Sequence, residues 1–106
     1  MTITEKVNSA LSYLEIPSYF ITRGENKAPC VVFNYVESPK SFADDEEKIT
    51  SYTVLLNLYV LSQIEKNKKN ILDVMQNNGF IRTSIQSTML DDTGYFNTPM
   101  LFKIDL

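Results

Sequence analysis

The stretch from Ile49 to Leu61 alternates with a period of two, and it constrains the fold more than any other part of the chain. Tyr52, Val54, Leu56, Leu58 and Val60 fall on one side, and Ser51, Thr53, Leu55, Asn57 and Tyr59 on the other. Successive side chains of an extended backbone point to opposite faces, so this pattern predicts one long strand with two chemically different faces. The first face is expected in the core. The second is too polar for a core and too apolar for simple solvent, because Leu55 and Tyr59 stand beside Thr53 and Asn57. Ser51, Thr53, Leu55, Asn57 and Tyr59 are therefore the candidate contact surface for a partner.

The flanking segments give this strand its company. Thr2 followed by Glu5 has the spacing of a capping box, and Val7, Ala10, Leu11 and Leu14 recur as one apolar stripe, which predicts a short amphipathic helix ended by Pro17. Ser18 to Ile21 reads as a brief strand before the polar turn at residues 23–27. Cys30 to Glu37 is rich in β-branched and aromatic residues and reads as a second strand. Ile64 to Asn78 predicts a second helix, with Ile64, Ile71, Leu72 and Met75 on its stripe and Gly79 at the left-handed cap. Phe80 to Met89 and Tyr95 to Leu106 read as two last strands joined by a turn at residues 91–94. In the last strand Met100, Phe102, Ile104 and Leu106 alternate with Leu101, Lys103 and Asp105, and Pro99, which lacks a backbone donor, belongs near a strand start, an edge or a bulge. The expected fold is α+β, an antiparallel sheet with two helices packed on one face, in the order α-β-β-loop-β-α-β-β. One domain over residues 1–106 is expected, with a mobile acidic loop at 38–48.

Charge is concentrated in that loop. The chain of 106 residues has a net charge of −3, and residues 44–48, with Asp44, Asp45, Glu46 and Glu47, carry −3 by themselves. An acidic chain argues against a surface built for a phosphate backbone, and the Lys66, Lys68 and Lys69 cluster reads as a solvated helix face. The chain has no His, which removes the commonest general base and the commonest neutral metal ligand. The adjacent acids lack the alternating spacing and turn glycine of an EF-hand, and no serine sits in a Gly-flanked nucleophile turn. Neither catalytic activity nor a metal or cofactor is expected. Cys30 is the sole cysteine, excludes an internal disulfide, and reads as a small buried hydrophobe. No signal peptide is seen at the amino terminus, and no apolar stretch approaches the roughly 18 residues that span a bilayer. No membrane partner is expected, and synthesis in a reducing cytoplasm is.

Several short motifs then occur in a fixed order: Phe33-Asn34-Tyr35 ending a strand, Glu37-Ser38-Pro39, Phe42-Ala43-Asp44-Asp45-Glu46 before the long strand, Gly79-Phe80-Ile81-Arg82-Thr83 after the second helix, and Asp92-Thr93-Gly94-Tyr95 before the last strand. In order and spacing this series resembles the tail-completion, or tail-to-head joining, proteins of long-tailed phages and prophages of Gram-positive bacteria. The chain departs from that pattern in the final hairpin, with Asn97-Thr98 and Leu101 where a His-Lys pair and a later Arg are expected. The resemblance implies a role like that of tail terminators: a homo-oligomeric ring, expected to be a hexamer, which caps the tail tube, stops its growth and mates with the head connector in the virion. The implied partners are a second copy of the chain, the tail tube protein and the connector protein, and Asp44, Asp45, Glu46 and Glu47 face either the lumen or the connector. An acidic conduit would repel passing DNA. The alternative is a small interaction or regulatory module of phage or prophage origin, acting as a monomer or dimer.

Overall fold

The computed structural model describes residues 2–22, 29–39, 50–90, 92 and 94–105. The acidic residues Asp44, Asp45, Glu46 and Glu47 lie outside them, and so does the expected mobility of residues 40–48. The elements in chain order are α1 (Ile3–Leu11), β1 (Ser18–Phe20), β2 (Cys30–Pro39), β3 (Thr50–Val60), α2 (Ile64–Asn77), β4 (Ile81–Ile85), β5 (Met89–Leu90) and β6 (Phe96–Asp105). The fold is α+β, a six-stranded sheet with two helices.

Helix α1 starts where its capping box places it. The Thr2 hydroxyl accepts from the Glu5 amide at 3.2 Å, and the Glu5 carboxylate accepts from the Thr2 amide at 3.3 Å and the Thr2 hydroxyl at 3.0 Å. These bonds, the one from the hydroxyl foremost, favour the charged carboxylate and hold its pKa below the usual value. Ile3, Val7, Ala10 and Leu11 are buried. The helix ends at Leu11, ahead of Pro17, and Leu14 packs against the core from the turn that follows. Pro17 has another task, since its carbonyl accepts from the Val31 amide at 2.9 Å.

The sheet order is β1-β2-β3-β6-β4, with β5 also on β6. β2 and β3 pair antiparallel from Cys30↔Tyr59 to Pro39↔Thr50, and β3 and β6 from Ser51↔Asp105 to Val60↔Phe96. Ser38 and Pro39, expected in the acidic loop, instead continue β2 as a strand. β1 is the exception to the antiparallel expectation, because it lies parallel to β2 with Ser18↔Val31 and Phe20↔Phe33. β4 lies beyond β6 and runs parallel to β3, so the last strand inserts between two that are joined through α2.

Val54, Leu56, Leu58 and Val60 of β3 share the core with Val31 and Phe33 of β2, Met100, Phe102 and Ile104 of β6, and the buried stripes of both helices. Helices thus cover one face of the sheet. Helix α2 closes in a Schellman motif: the Gly79 amide donates to the Gln76 carbonyl at 3.1 Å and the Phe80 amide to the Met75 carbonyl at 3.0 Å, with Gly79 at φ 91°. Phe80 and Met75 are both buried, the apolar contact this motif favours.

The strand expected over Phe80–Met89 is two short pieces. A register shift between Arg82 and Ser84 bends β4, which ends at Ile85, and pairing resumes only at Met89. Pro99 explains the interruption. Its carbonyl accepts from the Gln86 amide at 2.9 Å, so its missing N–H faces the same gap, and the ladder there lacks a donor. Thr98, fully buried, shares a hydroxyl hydrogen bond with Thr88 across the gap at 2.7 Å.

Candidate functional site

Pairing register places the second face of β3 in a continuous surface. Beside Thr53 lie Val36 of β2 and Lys103 of β6, and beyond Lys103 lies Ile81 of β4. Beside Leu55 lie Asn34 and Leu101, and beyond Leu101 lies Ser84. Beside Asn57 lie Val32 and Pro99, and beside Tyr59 lie Cys30 and Asn97. The candidate residues Ser51, Thr53, Leu55, Asn57 and Tyr59 are all half-buried and all on the side away from the helices. They sit together as the alternation requires.

This face is graded. Toward β1 it is dense, with Cys30 fully buried and Val32 8% exposed. Toward the other end of the strands it opens, and Val36 at 58% and Ile81 at 67% exposure flank Thr53 and Lys103. The strip from Val36 through Leu55 and Leu101 to Ile81 is apolar along its length, with one cation, Lys103, among it. Asn97 adds a different signal, because its side-chain carbonyl oxygen is buried with no hydrogen-bond partner among the described residues. An acceptor withdrawn from water in this way costs about 1–3 kcal/mol.

Both margins of the sheet also end in exposed apolar residues. Phe20 and Ile21 stand at the β1 edge, and Ile81, Met89 and Leu90 at the β4–β5 edge. On the helix side, Phe20 packs on Phe33 with ring centroids 5.2 Å apart and stacks on Tyr35 at 6.0 Å, while Tyr35 meets Tyr52 edge-on at 5.9 Å. This row keeps the β1 edge attached to the long hairpin.

Ile81, Val36 and Leu101 are additions to the expected contact surface. Alternation within one strand identifies its own two faces but not the neighbours that share them. No group of three or more His, Cys, Asp or Glu among the described residues is arranged to hold a metal ion. No helix among the described residues is long and apolar enough to cross a membrane. Compared with known proteins, the chain matches no family model and no curated protein.

Proposed function

We propose that the chain is a non-enzymatic structural subunit of a phage tail, a tail-completion or tail-terminator ring protein at the head-tail joint. The observation that carries this reading is the half-apolar sheet face on the side away from the helices, centred on Thr53 and Leu55, with an exposed apolar edge at each margin of the same sheet. A surface of that composition is suited to contact with protein. Two different edges suit head-to-tail association, and a repeated head-to-tail contact closes into a ring when its rotation permits.

The order of motifs that resembles tail-completion proteins supports the same reading, although part of it has a structural cause. Gly79-Phe80 forms the Schellman cap of α2, and Gly94 has the positive φ of 87° that suits a turn before β6. In this reading the tail tube protein and the head connector are the partners.

Electron microscopy of tails assembled with and without the protein tests the proposal. A terminal ring that appears only with the protein, and its presence in purified virions, is the expected result. Absence from virions, together with a monomer or dimer that ignores tail tubes, would remove the joint role and leave a small interaction module.

A further inference from the structure

On the helix side of the sheet, α2 and β4 form a cleft of about 410 Å³ lined by Glu65, Lys68, Lys69, Leu72, Arg82 and Ile85. Leu72 and Ile85 pack against the core and give the cleft an apolar floor. Arg82 reaches this side because it pairs with Phe102, whose side chain faces the helices. Lys68 is only 23% exposed and lies 3.7 Å from Glu65, whose side chain is 90% exposed. Lys69 and Arg82 form no ion pair among the described residues. Three cations against one carboxylate make this a positive cleft on a chain whose net charge is −3.

The same chain carries the complementary charge. Asp44-Asp45-Glu46-Glu47 follows Phe42-Ala43, so one segment offers four carboxylates with an apolar residue beside them. Its own cleft is too far away for the whole segment. Arg82 stands at the level of Val54 and Ile85 at the level of Leu56, four and six residues beyond Thr50. With roughly 13–20 Å along the strands and roughly 10 Å across two strand spacings at right angles, their backbones lie about 16–22 Å from Thr50. Glu47 is three residues from Thr50 and reaches at most about 10 Å from it, even fully extended. A second copy meets no such limit.

We propose that the α2–β4 cleft receives the acidic segment Asp44–Glu47 of a second copy of this chain, with Lys68, Lys69 and Arg82 facing its carboxylates. The segment springs from the β2–β3 hairpin and the cleft lies at the β4 edge, so donor and receptor are different places on the subunit. The contact is therefore heterologous, and each subunit gives a segment to one neighbour and takes one from the other. It rests on the ring reading for closure, but the contact itself is measured apart from any ring.

The probe is a fluorescein-labelled peptide of residues 40–49, titrated into the full chain carrying Asp44→Asn, Asp45→Asn, Glu46→Gln and Glu47→Gln so that its own segments do not compete. Saturable binding that falls steeply with salt is expected. The combined change Lys68→Glu, Lys69→Glu and Arg82→Glu should weaken it by about tenfold or more and Lys69→Glu alone by about threefold, whereas Lys66→Glu, the matching single reversal outside the cleft, should leave it unchanged. Thermal unfolding of each variant confirms that it is folded, and Arg82→Ala alone serves if the triple variant is not. Failure to bind, equal binding by a peptide whose acids are replaced with Asn and Gln, equal loss in the Lys66 variant, or binding of an RNA oligonucleotide in place of the peptide would overturn the proposal. Rings on tails without peptide binding would defeat the cleft contact alone. Peptide binding without rings would defeat the joint role alone.

Discussion

At the scale of single residues, the two ends of α2 place the same backbone conformation on unlike residues. Gln63 at the amino end has φ 57° and ψ 43°, with no side-chain capping bond, and Gly79 past the carboxyl end has φ 91°. The left-handed region crowds a Cβ against the backbone, which costs about 1–2 kcal/mol for an ordinary residue and nothing for glycine. Gln63→Gly should therefore stabilise the fold by about 0.5–1 kcal/mol, the relief exceeding the entropy that glycine adds to the unfolded chain. Gly79→Ala should destabilise it by about 1 kcal/mol or more. A Cβ at residue 79 would meet only Ile104 Cδ1, at 3.7 Å, so conformation and not space sets that cost. Thermal unfolding should show midpoint shifts of a few degrees in opposite directions. A fall in both variants would remove the explanation for residue 63.

At the scale of the element, β3 joins the core to the outer surface. Leu56 is 1% exposed among the residues under the helices, while Thr53 points the opposite way between Val36 and Lys103. Leu56→Asp should cost several kcal/mol, because it buries an unpaired carboxylate in a domain whose whole stability is about 5–15 kcal/mol. Thr53→Asp should cost much less and act on assembly, with Lys103 at hand as a partner. Urea unfolding separates the two, and equal loss of folded protein would refute the face assignment. Both faces of β3 are legible in the alternation of its residues alone. That alternation does not reveal that β6 inserts between β3 and β4, or that Pro99 breaks the strand beyond it into β4 and β5, since pairing joins residues far apart in sequence.

For the whole molecule, the surface is divided by charge as well as by hydrophobicity. The cationic cleft lies on the helix side at one edge, and the segment with the chain's net negative charge springs from the β2–β3 hairpin. Neutralising Asp44, Asp45, Glu46 and Glu47 to Asn or Gln should leave folding nearly unchanged, because four adjacent carboxylates repel one another and supply no core. Under the proposed joint role it should alter head-tail joining. Thermal unfolding checks the first half and the yield of infectious particles the second. Normal yields would reduce the segment to a device for solubility.

What the sequence determined by itself is local. The capping box at Thr2 and Glu5, the stripe and glycine cap of α2, and the two faces of β3 and β6 all follow from backbone geometry, which repeats every two or every 3.6 residues and sorts apolar side chains accordingly. Tertiary structure decided what lies beside what: β1 parallel to β2, Val36, Leu101 and Ile81 around Leu55 and Thr53, and Arg82 across from Lys68 and Lys69. The three basic residues show why. In the sequence Lys68 and Lys69 are a polar helix face and Arg82 is an isolated charge in a strand, and no periodicity relates them. The Schellman cap turns the chain back after α2, and pairing with β6 sets Arg82 on the helix side, so a site appears only when the pairing is complete.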